Sequence, residues 1–147
     1  MNDLINKNSE EKIRFTFHKN ERLCSKKVIE KLFADGKSLY IFPLKAVFME
    51  TSLKTEFPVQ VAFAVSKKSF KRAVMRNLLK RRMREAYRLN KHQFYDEMNG
   101  KQMALFLIYT SKAEEPYPVI ESATKKMIKR VLRELKSGKS TYKPLSN

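Results

Sequence analysis

An α+β sandwich with elements in the order α-β-β-α-β-α is the fold class that the sequence predicts, and three observations lead to it. Apolar runs of strand length lie at 40–49, 59–66 and 102–110. Around them, apolar residues recur at helical spacing over 25–36, 72–90 and 118–136. The length, 147 residues, suits one domain with a core of its own. Helices and strands mixed in this order bury their apolar sides by packing helices on a sheet.

Each element has a local reason. Residues 1–20 are polar and irregular, a flexible N-terminal arm in which Arg14, Phe15, Phe17 and Lys19 mix cations with flat rings, a composition suited to an RNA contact. The domain proper is expected over 21–136. In "CSKKVIEKLFADGKS", Ser25 can cap a helix carrying Val28, Ile29, Leu32 and Phe33 on one side, and Gly36 fits a left-handed stop. "YIFPLKAVFM" reads as one strand, with Pro43 restricting it to an edge or to its opening residues. The connection 51–58 leads to a second, largely buried strand, and the long helix follows. Residues 91–99 form a shorter helix or turn, Asn99-Gly100 marks a turn, and 102–110 is a third core strand. The last helix turns Ile120, Met127, Ile128, Val131 and Leu135 to one side, and 137–147 is expected to be a disordered tail.

Charge is the unusual feature. Lys and Arg number 32 against 15 Asp and Glu, a net charge of +17. Such a surplus costs self-repulsion and draws polyanions to the surface. A single cysteine, Cys24, excludes an internal disulfide and a cysteine-based zinc cluster. The N-terminus has no apolar signal region, and the longest apolar run, 103–109, is far shorter than a bilayer span of about 18 residues. A soluble, cytoplasmic protein is expected.

The cations concentrate in "SKKSFKRAVMRNLLKRRMREAYR", residues 66–88, where Glu85 is the one acid. At about 100° per residue, Met75, Leu78, Leu79, Ala86 and Leu89 fall on one side with Val74 beside them. Asn77, Lys80, Arg81, Arg84 and Arg88 fall on the other, with Arg76 and Tyr87 at its border. Arg82 breaks the pattern, and its long stem is expected to snorkel past the core edge. The helix can therefore lie on a sheet and aim a row of cations outward. Planar guanidinium forks suit phosphate oxygens. Opposing like charges along a helix are unfavourable unless something external neutralises them. A membrane-surface helix is disfavoured because the apolar side is needed to cover the strands.

Little in the chain suggests chemistry of its own. The aspartates Asp3, Asp35 and Asp96 are scattered, and Glu10-Glu11, Asp96-Glu97 and Glu114-Glu115 are sequence neighbours that usually diverge in space. His18 and His92 are the only histidines, and no phosphate-binding loop or HExxH helix is present. No catalytic residue and no protein-bound metal are assigned. Charge and size alone fit a structural RNA-binding protein of ribosomal type as well as any other RNA partner, and a DNA binder lacks a base-reading motif here.

"VSKKSFKRAVMRNLLKRRMREAYR" resembles the signature of the protein subunit of bacterial ribonuclease P, with matches at Ser66, Lys67, Lys68, Ala73, Val74, Arg76, Asn77, Lys80, Arg81, Arg84, Glu85 and Arg88. The likeness extends over 22–136. "RLCSKKVIEKLFADGKS" is similar to that family's first helix, with Phe33 at one of two aromatic positions and Ile29 at the other. Ala62 stands where many relatives have glycine. The resemblance implies a mixed central sheet with the signature helix in a left-handed β-α-β crossover. It implies a subunit that joins a catalytic RNA, with cleavage of precursor tRNA at the 5′ end carried by that RNA and its Mg²⁺. Lys67, Lys68, Arg72, Arg76, Asn77, Lys80, Arg81, Arg84 and Arg88 would face the catalytic RNA. A cleft between the first helix and the sheet would hold the single-stranded leader of precursor tRNA, with Phe33, Ile29, Lys45 and Val47 as its residues. Lys45, Val47 and Met49 alternate along one strand face, but Phe33 and Val47 fit a plain core equally well.

Overall fold

A computed structural model of the protein describes residues 17–137, in which a four-stranded sheet carries helices on both faces. A 3₁₀ turn, Lys19–Glu21, leads to α1 (Lys26–Asp35), β1 (Lys37–Ile41), β2 (Leu44–Glu50) and β3 (Val59–Val65). Then come α2 (Ala73–Asn90), α3 (His92–Glu97), β4 (Met103–Tyr109) and α4 (Tyr117–Ser137). The α+β class expected from the sequence is the one observed. The strand order is β1-β2-β4-β3, antiparallel except where β3 runs parallel to β4. The readings of Arg14 and Phe15 in the arm and of 138–147 as a tail lie outside the described residues, and Ser137 closes α4.

The expected single strand over 40–49 is two strands. The chain turns at Phe42-Pro43, a cis peptide, and β1 pairs back on β2 with Tyr40 opposite Lys45. The carbonyl of Pro43 accepts from the Thr110 backbone N–H at 2.8 Å and from its hydroxyl at 2.9 Å, which ties the hairpin tip to the end of β4. No Gly or Asn marks this turn, so the apolar run conceals it. Ser25 caps α1 as expected, accepting from the Val28 N–H at 3.3 Å. Gly36 differs from expectation: its φ is −73°, not left-handed. Glycine stands there because a Cβ would lie 2.3 Å from the Leu32 carbonyl oxygen. Asn99 (φ 52°) and Gly100 (φ 84°) form the left-handed turn their sequence suggests.

The period-two alternation of the strands divides the core into two layers. Leu44, Ala46 and Phe48 of β2, with Val61 of β3 and Leu105 of β4, face α2 and α4. Val47 and Ala104 point the other way and meet Leu23 and Leu32 under α1. Against the outer edge of β3, Arg22 makes a parallel bridge to Val61.

A buried ion pair fixes the entry of the chain. Glu21 and Lys91 are both fully buried and 2.5 Å apart. Glu21 also accepts from the Tyr95 hydroxyl and, at 2.8 Å, from the His18 N–H. Burial pushes the Lys91 ammonium down in pKa while Glu21 opposes the shift. Phe17, which the sequence offered as an RNA contact, is half-buried and packs against Phe63 and Tyr87, with ring centroids 6.1 Å apart in each pair. No described helix is long and apolar enough to cross a membrane.

Candidate nucleic-acid interface

Helix α2 buries Leu79, Met83, Ala86, Tyr87 and Asn90. On the helical wheel that face lies about 75° from the one expected. Tyr87, placed at the border of the cationic side, is fully buried, and Val74, placed with the apolar residues, is 80% exposed. The rotation follows from three aromatic contacts of the Tyr87 ring, to Phe17, Phe63 and Phe94. One large ring outweighs the smaller Val74 in apolar area removed from water. Arg82, the residue that broke the pattern, has a structural partner. Its fork donates to the Glu115 carbonyl at 2.8 Å and pairs with Glu114 at 2.9 Å, which clamps the segment leading into α4.

The remaining cations divide into held and unheld groups. Arg88 pairs with Glu85 at 2.6 Å. Arg76 donates to the Phe70 and Lys71 carbonyls, both at 2.8 Å, and so shapes the loop before the helix. Lys67, Lys68, Arg72, Lys80 and Arg81 have no ion pair among the described residues. Arg84 lies over the Phe63 ring, 5.9 Å from its centroid. Its pKa is lowered by burial, then by the neighbouring charges of Arg22 and Arg81. That crowding sets three guanidinium groups close enough to repel one another. Arg22 is one of them and is absent from the sequence-based set. Only the Arg22–Val61 bridge brings it beside α2, and no local pattern announces such a bridge.

Lys67 and Lys68 sit in the short loop between β3 and α2, where the Ser66 hydroxyl accepts from the Lys68 N–H at 3.0 Å. They stand with Arg72 at the helix N-terminus, whose dipole adds partial positive charge. Asn77 is exposed on the same outward side as Arg81.

On the opposite face of the sheet, α1 covers only part of the strands. The row Tyr40–Lys45–Ile108–Ala64 runs across all four strands by register. Tyr40 and Lys45 are exposed, while Ile108 and Ala64 are half-buried. Phe33 borders this row from α1, 51% exposed, with its ring edge-on to Phe106 at 4.9 Å. Ile29 is half-buried against the smaller core layer. Val47, left open between the cleft and plain core, is 6% exposed beneath α1 and packs in that core. Tyr40, by contrast, is an exposed aromatic across from Lys45 that the sequence reading missed. Seeing it required the turn at Phe42-Pro43, since only the hairpin places 40 beside 45.

Five carboxylates, those of Glu21, Glu85, Glu97, Glu114 and Glu134, are tied into ion pairs. Among the described residues no three His, Cys, Asp or Glu side chains gather as a metal site. His18 stacks on Phe57, with centroids 5.4 Å apart.

A family model described as Ribonuclease P matches residues 17–136. The ribonuclease P protein component of Porphyromonas gingivalis is 33% identical over 126 residues, which cover 84% of this chain and 92% of that protein. Its counterpart in Chlorobium phaeobacteroides is 35% identical over 136 residues, covering 86% and 92%. Among solved structures, the RNase P protein of Staphylococcus aureus superposes with a TM-score of 0.61 at 19% identity, covering 77% of this chain and 96% of that one. The Thermotoga maritima RNase P protein gives 0.60 at 23% identity, covering 74% and 96%. With a family model spanning nearly all described residues and relatives above 30% identity over more than four-fifths of its length, the chain belongs to the ribonuclease P protein family.

Proposed function

We propose that this protein is the protein component of ribonuclease P, in which it binds the catalytic RNA through α2 and the 5′ leader of precursor tRNA through the cleft beside α1, and so promotes 5′-end maturation of tRNA. The observation that carries the reading is the row of α2 cations without carboxylate partners among the described residues, on a chain of this family. Lys67, Lys68, Arg72, Lys80, Arg81 and Arg84 neutralise RNA phosphates and release condensed counterions. Arg76 shapes the loop that presents Lys67 and Lys68, and Arg88 is oriented by Glu85. In the cleft, Phe33 and Tyr40 offer flat faces to unstacked bases, and Lys45 follows the backbone between them. The chemistry belongs to the RNA and its Mg²⁺. The protein supplies position and charge.

Reconstitution with a bacterial ribonuclease P RNA and precursor tRNA at low Mg²⁺ tests this. Cleavage should rise on adding the protein, while protein free of RNA should cleave nothing. Phe33→Ala should lower the preference for precursor over mature tRNA by about five-fold or more, since a base–aromatic stack contributes about 1–3 kcal/mol. Equal losses for both tRNAs would refute the leader cleft. Absence of any gain in cleavage, with tight binding to ribosomal RNA instead, would refute the whole reading.

A further inference from the structure

The sheet face that carries α2 also carries a second cationic helix, α4, and beside its first turns lies an exposed aromatic residue. Phe42 is 52% exposed at the β1–β2 tip, although the Pro43 carbonyl holds that tip with two hydrogen bonds from Thr110. Next to the ring is a shallow cavity of about 340 Å³, lined by Ile41, Phe42, Pro118, Val119, Ser122 and Lys126. From it runs a line of exposed cations, Lys126, Lys129, Arg130 and Arg133. None of the four has a carboxylate partner among the described residues. The nearby acid Glu134 is paired with Lys37. From Lys126 to Arg133 the line covers seven residues, about 10 Å along the helix.

We propose that the β1–β2 tip and the outer side of α4 form a second RNA contact, in which Phe42 stacks on an unpaired base and the α4 cations follow the strand that carries it. The occupant is an unpaired stretch of the ribonuclease P RNA, and the proposal rests on the functional reading above. Two features choose this partner. The pairing of an open ring face with a trail of unneutralised cations is the complement of a single strand, with bases to stack and phosphates to neutralise. And α4 lies alongside α2 on one face of the sheet, with the Arg82 fork holding the segment that leads into α4, whereas the leader cleft is on the other face. Both helices thus lie on the sheet face away from the leader cleft, α2 toward β3 and α4 toward β1.

The test measures binding of the full chain to ribonuclease P RNA over a range of salt, and separately the discrimination of precursor from mature tRNA by the reconstituted enzyme. The triple variant Lys126→Gln, Lys129→Gln, Arg133→Gln should flatten the slope of log affinity against log salt by about 2–3, one phosphate per cation. Phe42→Ala should weaken binding by about ten-fold with the slope unchanged, and neither variant should alter leader discrimination. Thermal melts establish that both variants fold. A folded triple variant with an unchanged slope, while Arg81→Gln lowers it, overturns the α4 contact and leaves the α2 reading standing. Unchanged slopes in both overturn the functional reading itself. A loss confined to leader discrimination also overturns the proposal, because it would assign this surface to the tRNA.

Discussion

Tyr87, which the sequence leaves open between a base contact and the edge of the core, is a core residue, 0% exposed. Its hydroxyl is buried without a hydrogen-bond partner among the described residues. Burial, then the charge of Glu21, pushes its pKa well up. Leaving a buried hydroxyl unpaired costs about 1–3 kcal/mol. Tyr87→Phe keeps the three ring contacts and removes that cost, so it should raise stability by about 1 kcal/mol in urea unfolding. It should also change the alkaline limb. A phenol whose folded pKa is raised contributes stability that is fully present below its unfolded value near 10 and is lost as pH rises beyond it. The loss is about 1.4 kcal/mol per pH unit. Stability of the parent should therefore fall more steeply between pH 10 and 11 than that of the variant, by about 1 kcal/mol, since the unfolded phenol is half ionised at the start of that interval. The helical wheel puts Tyr87 at the border between the two sides, and the structure turns that border inward. The sequence could not show the rings of Phe17, Phe63 and Phe94, which come from three other parts of the chain.

At the scale of elements, legibility followed locality. Helix α1 was readable because Ser25 and its apolar spacing act within a few residues, and α2, β3, β4 and α4 stand close to their expected bounds. The β1–β2 hairpin was hidden because its turn carries none of the usual residues and its register is fixed by pairing with β4. The cationic row of α2 was legible in composition, but its aim was not, since the helix rotates to admit Tyr87 and Met83. The same limit applies to the Glu21–Lys91 pair, whose partners are 70 residues apart. That pair pins the 3₁₀ turn to the α2–α3 junction. Lys91→Met strands the Glu21 carboxylate in the core and should cost about 3–5 kcal/mol. Combining it with Glu21→Leu should restore a substantial part of that loss. A double variant no more stable than the single one in urea titrations would contradict this.

Over the whole molecule, the net charge of +17 is distributed by sign. Five carboxylates are tied into ion pairs inside or between elements, while α2 and α4 keep rows of cations for the exterior. Binding to ribonuclease P RNA should therefore weaken linearly on a log–log plot against salt. Arg81→Gln should reduce the slope by about 0.7–0.9, the contribution of one phosphate contact. An unchanged slope in filter-binding measurements would remove Arg81 from the interface. The expectation of a polyanionic partner could be formed from the sequence because charge balance needs no fold. The split of the surface into an α2–α4 side and an α1 side was not, since it depends on which strand lies in the middle.

That middle position has a consequence for biosynthesis. Strand β4 is the last strand to be made, yet it sits between β2 and β3 and pairs with both. Until Met103–Tyr109 has emerged, β2 and β3 each present a bare edge of unpaired amides and carbonyls beside apolar side chains, the arrangement that invites adhesion between nascent chains. A translation product halted before Met103 is thus a sheet missing its keystone, with cations already displayed and no architecture to hold them apart.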